Sequence, residues 1–417
     1  GLLSGRPRGS RGRLMRWRDF VRPALAKAVR ARLSVLEPNA MQCEALRPAM
    51  RGEDLLLVAQ TGSGKTLALL LPLLESVTRA VEHRPSAACT ALLLAPSDVL
   101  VEQHAATART LLAGLDPPVE LDCDTGASLT GVGGLLEDAS RVPSLLVATA
   151  AGARRRLEAS GGAGREWAAR LAAVAIDEAD AVLCGRPHDT ALRPDADALL
   201  DALPAGTQHL LATAFLTSEH EVALTRRFRR AVRVSEHSTA GQRGVMVPTL
   251  RQLFRYLGPG ASRETALLSA LRSAEDDPWL REGTTMIFCE PAAAAAVHGR
   301  LVAEMPQLRA ALLCEGAAAP EGSAEAVARF ASGEARALVC TAAAARGLDF
   351  PRLRHVLLFD MPQDVAGFVH SAGRTARRGK EGLVTCLVES GAEVGRFRQL
   401  HALLPARALE FSAAPAS

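Results

Sequence analysis

Cysteine pairs, long apolar runs, lysine and a decisive net charge are all lacking from this 417-residue sequence. The eight cysteines (Cys43, Cys89, Cys123, Cys184, Cys289, Cys314, Cys340, Cys386) are scattered, with no CxxC pair. That argues against a zinc ribbon or a disulfide framework and leaves a reducing compartment as the default. No apolar run approaches the ~18 residues of a membrane span, so no membrane is expected as a partner. The formal charge of +4 is too small to identify a partner by itself. Lysine occurs only at Lys27, Lys65 and Lys380, so arginine carries nearly all the positive charge. Together with an excess of alanine, that bias reflects codon composition more simply than protein chemistry. It also singles out each lysine that remains.

The length exceeds one ordinary domain and suits two, each able to bury its own core. The first eighteen residues carry six arginines and no acid. That is the composition of an organellar targeting remnant or of an arm that binds nucleic acid. Residues 1–19 are therefore read as a basic arm, and the mitochondrion is the expected compartment. Beyond it, short leucine- and valine-rich runs are each followed by a helical stretch: 54–59, 91–96, 144–149, 173–177 and 209–213, then 284–289, 311–316, 337–341, 355–359 and 382–388. Runs of four to seven apolar residues at such spacing read as buried parallel strands in βα units. The expected fold class is α/β, two similar domains with parallel sheets flanked by helices. They are placed at 20–235 and 245–390, with a polar linker at 236–244 and a C-terminal helix and poorly ordered tail at 391–417. The alanine-rich run 291–302 reads as a helix following a strand.

After the first run come Gln60, Thr61, Gly62, Ser63, Gly64, Lys65 and Thr66, then an apolar helical stretch. Strand, glycine-bearing loop and helix N-terminus make a phosphate cradle. Backbone N–H groups and the helix dipole face the anion, Lys65 meets the β/γ-phosphates, and the Thr66 hydroxyl holds Mg2+. Ala59 stands where the usual P-loop pattern has its first glycine. One of the three lysines is here, where a phosphate-binding cation has to be kept.

A second element, Asp177, Glu178, Ala179 and Asp180, closes the strand run at 173–177. A carboxylate at a strand end beside a P-loop can hold Mg2+, in part through water, as Asp177 would. Glu178 can orient and deprotonate the attacking water. An isolated acidic tetrapeptide is weak, since such strings commonly sit on solvated faces; after a strand and downstream of the cradle it is strong.

From these motifs the chain resembles the DEAD-box RNA helicases, over nearly everything from Phe20 to about Ser390 and in the family's order. The resemblance implies two RecA-like domains that close on ATP and single-stranded RNA, with ATP and Mg2+ as cofactors. Phe20 and the segment Pro38 to Gln42 resemble the aromatic and the Q motif that read adenine. Residues 341–349 resemble motif V, in which Thr341 and Gly347 fall on the RNA side and Asp349 meets the ribose. Residues 370–377 resemble motif VI, which supplies His370 and the arginine fingers Arg374 and Arg377. The RNA-binding and coupling set carried over is Pro96, Gly126, Thr149, Asp180, Thr213, Thr341, Gly347 and His370.

Several family motifs are broken. Asp98 stands where PTRELA has its arginine, and an acid repels RNA phosphate where arginine pairs with it. TPGR is reduced to Thr149, with Arg154, Arg155 or Arg156 as candidates to compensate. The GG element survives as little more than Gly126. SAT, which contacts Asp180 in the family and links ATP state to strand separation, reads Ala212, Thr213, Ala214. QxxR is Pro320 to Ser323, and the first arginine of motif VI is Ser371. The ATP set is kept while the RNA and coupling set is depleted. Weakened coupling between the two sites should damage unwinding before nucleotide binding.

The favoured reading is an RNA-dependent ATPase and helicase that remodels RNA or ribonucleoprotein in ribosome assembly, with ribosomal RNA and assembly-factor proteins as partners. The alternative is a weakly active or inactive ATP-bound RNA clamp, a scaffold within a ribonucleoprotein particle. A DNA translocase is a third class, against which the Q-motif-like start and the DEAD string argue.

Overall fold

The computed structural model describes residues 15–59, 62–83, 90–115, 118–124, 144–159, 161–184, 192–235, 249–258, 260–314, 322–345, 348–389, 391–401 and 409–413. Thr61, Gly126, Gly347, the expected linker 236–244 and the altered Pro320 and Glu321 lie outside the described residues. The chain divides into two compact units, the first built mainly from residues up to Ser238 and the second mainly from Thr239 on.

Seven strands form the sheet of the first unit: β1 Leu55–Val58, β2 Thr90–Leu94, β3 Leu121–Asp124, β4 Leu145–Ala148, β5 Leu171–Ile176, β6 Gln208–Thr213 and β7 Val232–Ser235. Their order is β3-β4-β2-β5-β6-β1-β7, and every pair is parallel. Period-two alternation sends Leu55, Leu57, Ala91 and Leu93 into one buried layer and Leu56, Leu92 and Leu94 into the other. Both faces are therefore covered, which is why these strands read as unbroken apolar runs. Helices Pro23–Arg32, Ala40–Ala49, Lys65–His83 and Asp98–Leu112 supply residues to the first layer.

The second unit repeats the plan with β8 Leu250–Leu257, β9 Thr284–Phe288, β10 Ala311–Leu313, β11 Ala337–Cys340, β12 Leu353–Leu358, β13 Gly382–Glu389 and β14 Leu409–Ala413. The order is β10-β11-β9-β12-β13-β8-β14, again all parallel. The alanine-rich segment is a helix, Pro291–Glu304, with proline in its first turn where no N–H is missed.

Three expectations need correction. The tail expected to be poorly ordered contributes β14, hydrogen-bonded alongside β8. The basic arm does not reach residue 19: Trp17 is 1% exposed in the core of the first unit, and its Nε1 donates to Val35 O at 2.9 Å. Each sheet also has seven strands rather than five. Among the described residues no helix is long and apolar enough to cross a membrane. Among the described residues seven cysteines are free thiols; burial pushes Cys184 and Cys289 up to about 12.

Candidate functional site

In a parallel sheet all strands deliver the chain to the same edge, so motifs distant in sequence meet at the C-terminal strand ends. β1 ends at Val58, and the chain passes through Gly62, Ser63 and Gly64 into helix Lys65–His83. Gly62 (φ 81°) and Gly64 (φ 91°) hold left-handed backbone that a side chain would oppose. The turn presents the helix N-terminus, whose free N–H groups and dipole favour an anion. Lys65 is buried, and its Nζ donates to Ala59 O at 2.7 Å, folding the ammonium over the loop. Thr66, the second helical residue, is partly exposed.

Asn39 and Gln42 cap helix Ala40–Ala49 reciprocally. Gln42 N donates to Asn39 Oδ1 at 2.8 Å, and Asn39 N donates to Gln42 Oε1 at 3.0 Å. The amide groups left over reach the phosphate loop: Asn39 Nδ2 donates to Ser63 O at 2.7 Å and Gln42 Nε2 to Gly64 O at 3.1 Å. Gln42, expected to read adenine, is thus first a clip on the loop, keeping one N–H and one lone pair for a base. Asn39 was missed as a site residue, although an Asn three residues before a Gln at a helix start is a capping-box signal. Phe20 packs partly buried on the core of the first unit. Just beyond it, Arg22 binds buried Glu75 through its backbone N–H at 3.0 Å and Nε at 3.3 Å, fixing this segment to helix Lys65–His83.

β5 ends at Ile176, and Asp177, Glu178 and Asp180 are all buried. Asp177 Oδ1 accepts from Glu178 N at 2.9 Å, and Oδ2 lies 3.0 Å from His104 Nε2, close but poorly aligned for a linear hydrogen bond. Burial alone would raise the Asp177 carboxyl; the contact with His104 and the charge of Lys65 outweigh it and hold it below the usual carboxylate range. The influence of Lys65 joins the phosphate loop and the DEAD segment in one site. Glu178 adopts φ 49°, ψ 53°, left-handed backbone costing on the order of 1–3 kcal/mol in a non-glycine residue. Such strain is concentrated at functional positions.

Thr213 was carried over as a coupling residue on the resemblance alone. Its Oγ1 donates to Asp180 Oδ1 at 2.6 Å from the end of β6. The contact ascribed to the SAT motif is therefore made, although both flanking residues are alanine.

The other residues expected on the RNA side fall at further strand ends. Pro96 follows β2 and precedes Ser97, whose Oγ caps helix Asp98–Leu112 by accepting from Leu100 N at 3.4 Å. Asp98 occupies the first turn of that helix, where the dipole stabilises an acid. Thr149 follows β4 and accepts from Gly152 N at 3.1 Å, capping helix Ala150–Ala159. Arg156 is tied to Asp122 and Arg154 pairs with Glu158, whereas Arg155 is exposed.

In the second unit Thr341 follows β11 and accepts from Ala344 N at 3.2 Å. Helix Val365–Ala372 carries His370 in its last turn and is capped by Asp364, which accepts from Gly367 N at 2.7 Å. Arg374, 4% exposed, donates through Nε to His370 O at 3.1 Å and through Nη1 to Leu348 O at 3.2 Å. Arg377 donates to Gly373 O at 2.9 Å and to the same Leu348 O at 3.2 Å, and its Nη1 lies 3.0 Å from Asp349 Oδ1. Asp349, expected at a ribose, is here the partner of Arg377. Ala376 between the arginines has φ 56°. Gly382 packs so closely beneath that a Cβ would lie 2.6 Å from Ala376 N. Ser371 is buried and uncharged, so it offers no substitute for the family's arginine.

A glycine-turn phosphate loop with buried strand-end carboxylates, on a parallel α/β unit followed by a second of the same plan, defines a nucleoside-triphosphatase of the P-loop class. The comparisons narrow the class. Residues 39–222 match the DEAD/DEAH box helicase family and residues 278–379 the helicase conserved C-terminal domain. The chain is 30% identical over 369 residues to the ATP-dependent RNA helicase dbp8 of Aspergillus oryzae, covering 85% of this chain and 77% of that one. It is 29% identical over 371 residues to the ATP-dependent rRNA helicase RRP3 of Meyerozyma guilliermondii, covering 88% and 70%. It is similar in fold to S. cerevisiae Dbp5 bound to RNA and ADP BeF3, with a TM-score of 0.77 at 19% identity over 96% of each chain. The chain spans 43% to 80% of the length of its curated relatives. It belongs to the DEAD-box family of ATP-dependent RNA helicases.

Proposed function

We propose that this chain is an RNA-stimulated ATPase that opens short RNA duplexes, acting on ribosomal RNA or on a ribonucleoprotein that contains it. The observation that carries the reading is the buried Asp177 at the end of β5, whose carboxylate accepts from the Glu178 N–H at 2.9 Å and whose carboxyl the charge of Lys65 helps to hold low. The name of the rRNA helicase relative supports ribosomal RNA as the substrate class.

The residues fit a hard divalent cation. Asp177 is an anionic oxygen donor and Thr66 a hydroxyl donor at the helix N-terminus, which suits Mg2+ better than a softer metal. When bound, Mg2+ neutralises charge shared by the β- and γ-phosphates. Gly62, Ser63 and Gly64 present the backbone to the phosphates, and Lys65 leaves Ala59 O to meet them. Glu178 takes the proton of the attacking water. Arg374 and Arg377 stabilise charge developing on the γ-phosphoryl, as GTPase fingers do with effects of ~10³–10⁵. Asp180, held by Thr213, passes the change at the nucleotide to the residues on the RNA side. That contact weakens one of the arguments for a static clamp, the depletion of the coupling motifs.

The test is strand displacement from a short ribosomal RNA duplex and from a DNA duplex of equal length and sequence. ATP-dependent release of the RNA strand is expected. Release of DNA only, or release indifferent to ATP, would reject the reading.

A further inference from the structure

Helix Asp98–Leu112 buries Leu100, Val101, Ala105, Ala108, Leu111 and Leu112 in the core of the first unit. One polar side chain shares that buried face. His104 is 2% exposed, and its Nε2 lies 3.0 Å from Asp177 Oδ2. Packing alone gives no reason for an imidazole in this apolar stripe, because an aliphatic residue would continue it without bringing a polar ring into the core. The other oxygen of Asp177 is taken by the Glu178 N–H at 2.9 Å. The carboxylate is therefore approached from two directions, once by its own chain and once by a helix that begins beside Pro96 and Ser97.

We propose that His104 is a positioning residue that sets the plane of the Asp177 carboxylate for the Mg2+-nucleotide, and so ties the helix behind Pro96 to the ATP site. The inference rests on the ATPase reading above. A neutral ring meets a carboxylate favourably only with its proton on Nε2, which leaves Nδ1 as the acceptor. Groups that orient a metal's ligands without touching the metal typically change its affinity by about 10–100-fold when removed. His104 does not contact nucleotide in this role; it acts through Asp177.

The test uses the full chain and a fluorescent ATP analogue, titrated over a range of Mg2+ concentrations and in EDTA. His104→Leu should raise the half-saturating Mg2+ concentration about tenfold or more while leaving affinity in EDTA unchanged. His104→Gln, whose amide N–H can take the place of Nε2–H, should restore it to within about threefold. In an Asp177→Asn background, His104→Leu should add nothing further. A Mg2+ midpoint unmoved by His104→Leu, or equal losses with and without Mg2+, would overturn the proposal in favour of a packing role. If the leucine variant fails to fold by circular dichroism, His104→Asn, too short to reach Asp177, is read by the same criteria. Wild-type binding that ignores Mg2+ would overturn the role of His104 and leave nucleotide binding standing. No nucleotide binding at all would overturn both.

Discussion

Thr213 donates a 2.6 Å hydrogen bond to Asp180, linking the end of β6 to the segment that carries Asp177 and Glu178. Both groups are buried, so the contact is shielded from water. Removing the hydroxyl leaves the Asp180 oxygen short of a donor, which costs about 1–3 kcal/mol. Thr213→Ala should therefore lower duplex opening more than tenfold while changing ATP hydrolysis by about threefold or less, a separation expected of a coupling contact. Thr213→Ser should keep both activities. Parallel strand-displacement and phosphate-release assays measure the split.

Gly64 is the tightest point of the phosphate loop. A Cβ there would lie 2.4 Å from Gln42 Nε2, on backbone at φ 91°. Gly64→Ala should push Gln42 off Gly64 O and weaken nucleotide binding about tenfold or more, beyond the ~1 kcal/mol of backbone strain. Equilibrium titration with labelled ATP checks this; unchanged affinity would mean that the Asn39–Gln42 clip does not shape the loop.

Arg377 is held by Asp349 at 3.0 Å and by Leu348 O. Arg377→Lys keeps the charge and loses the planar fork, so it should behave as a loss. Both Arg377→Lys and Arg377→Ala should reduce the turnover number about 10³-fold and leave ATP affinity within a few-fold. Steady-state kinetics beside direct binding separates the two quantities.

His355 gives the second unit a pH dependence. It is 1% exposed on β12, with Nε2 2.9 Å from Thr385 Oγ1, and burial first, then the charge of Arg255, lowers its pKa to about 4. The native ring stays neutral while the unfolded one titrates near 6.5, so between those values the unfolded state binds more protons. Stability should fall as pH drops from about 6.5 toward 4, by up to about 1.4 kcal/mol per pH unit. Chemical denaturation across that range should show the slope, and His355→Gln should flatten it.

Much of the fold was legible because both faces of each sheet are covered. Stretches such as 55–59 and 145–148 are apolar throughout, and every run expected as a strand became one. The strands that escaped have a different chemistry. β3 (LDCD), β7 (VRVS) and β14 (LEFSA) lie at sheet edges; in β3 and β7 the half-solvated positions take polar residues. β8 (LRQLFRYL) buries Gln252 and exposes Tyr256, so its polarity does not trace its buried face. The site divides in the same way. Gly64, Lys65 and Asp177 announce themselves because phosphate and metal chemistry tolerate few substitutes. Thr213 was legible only through the family resemblance, because a hydroxyl's use depends on where β6 stops, not on how many neighbours match a motif. His104 left no signal, since its role comes from a contact made 73 positions away, with Asp177.

The most direct test of the account is the ATP hydrolysis rate of wild type and Glu178→Gln, each with and without a short ribosomal RNA. Wild type should hydrolyse ATP faster with RNA, and the variant should lose at least about a hundredfold under both conditions while still binding ATP. Equal rates for the two proteins, or a wild-type rate that no RNA raises, would contradict it.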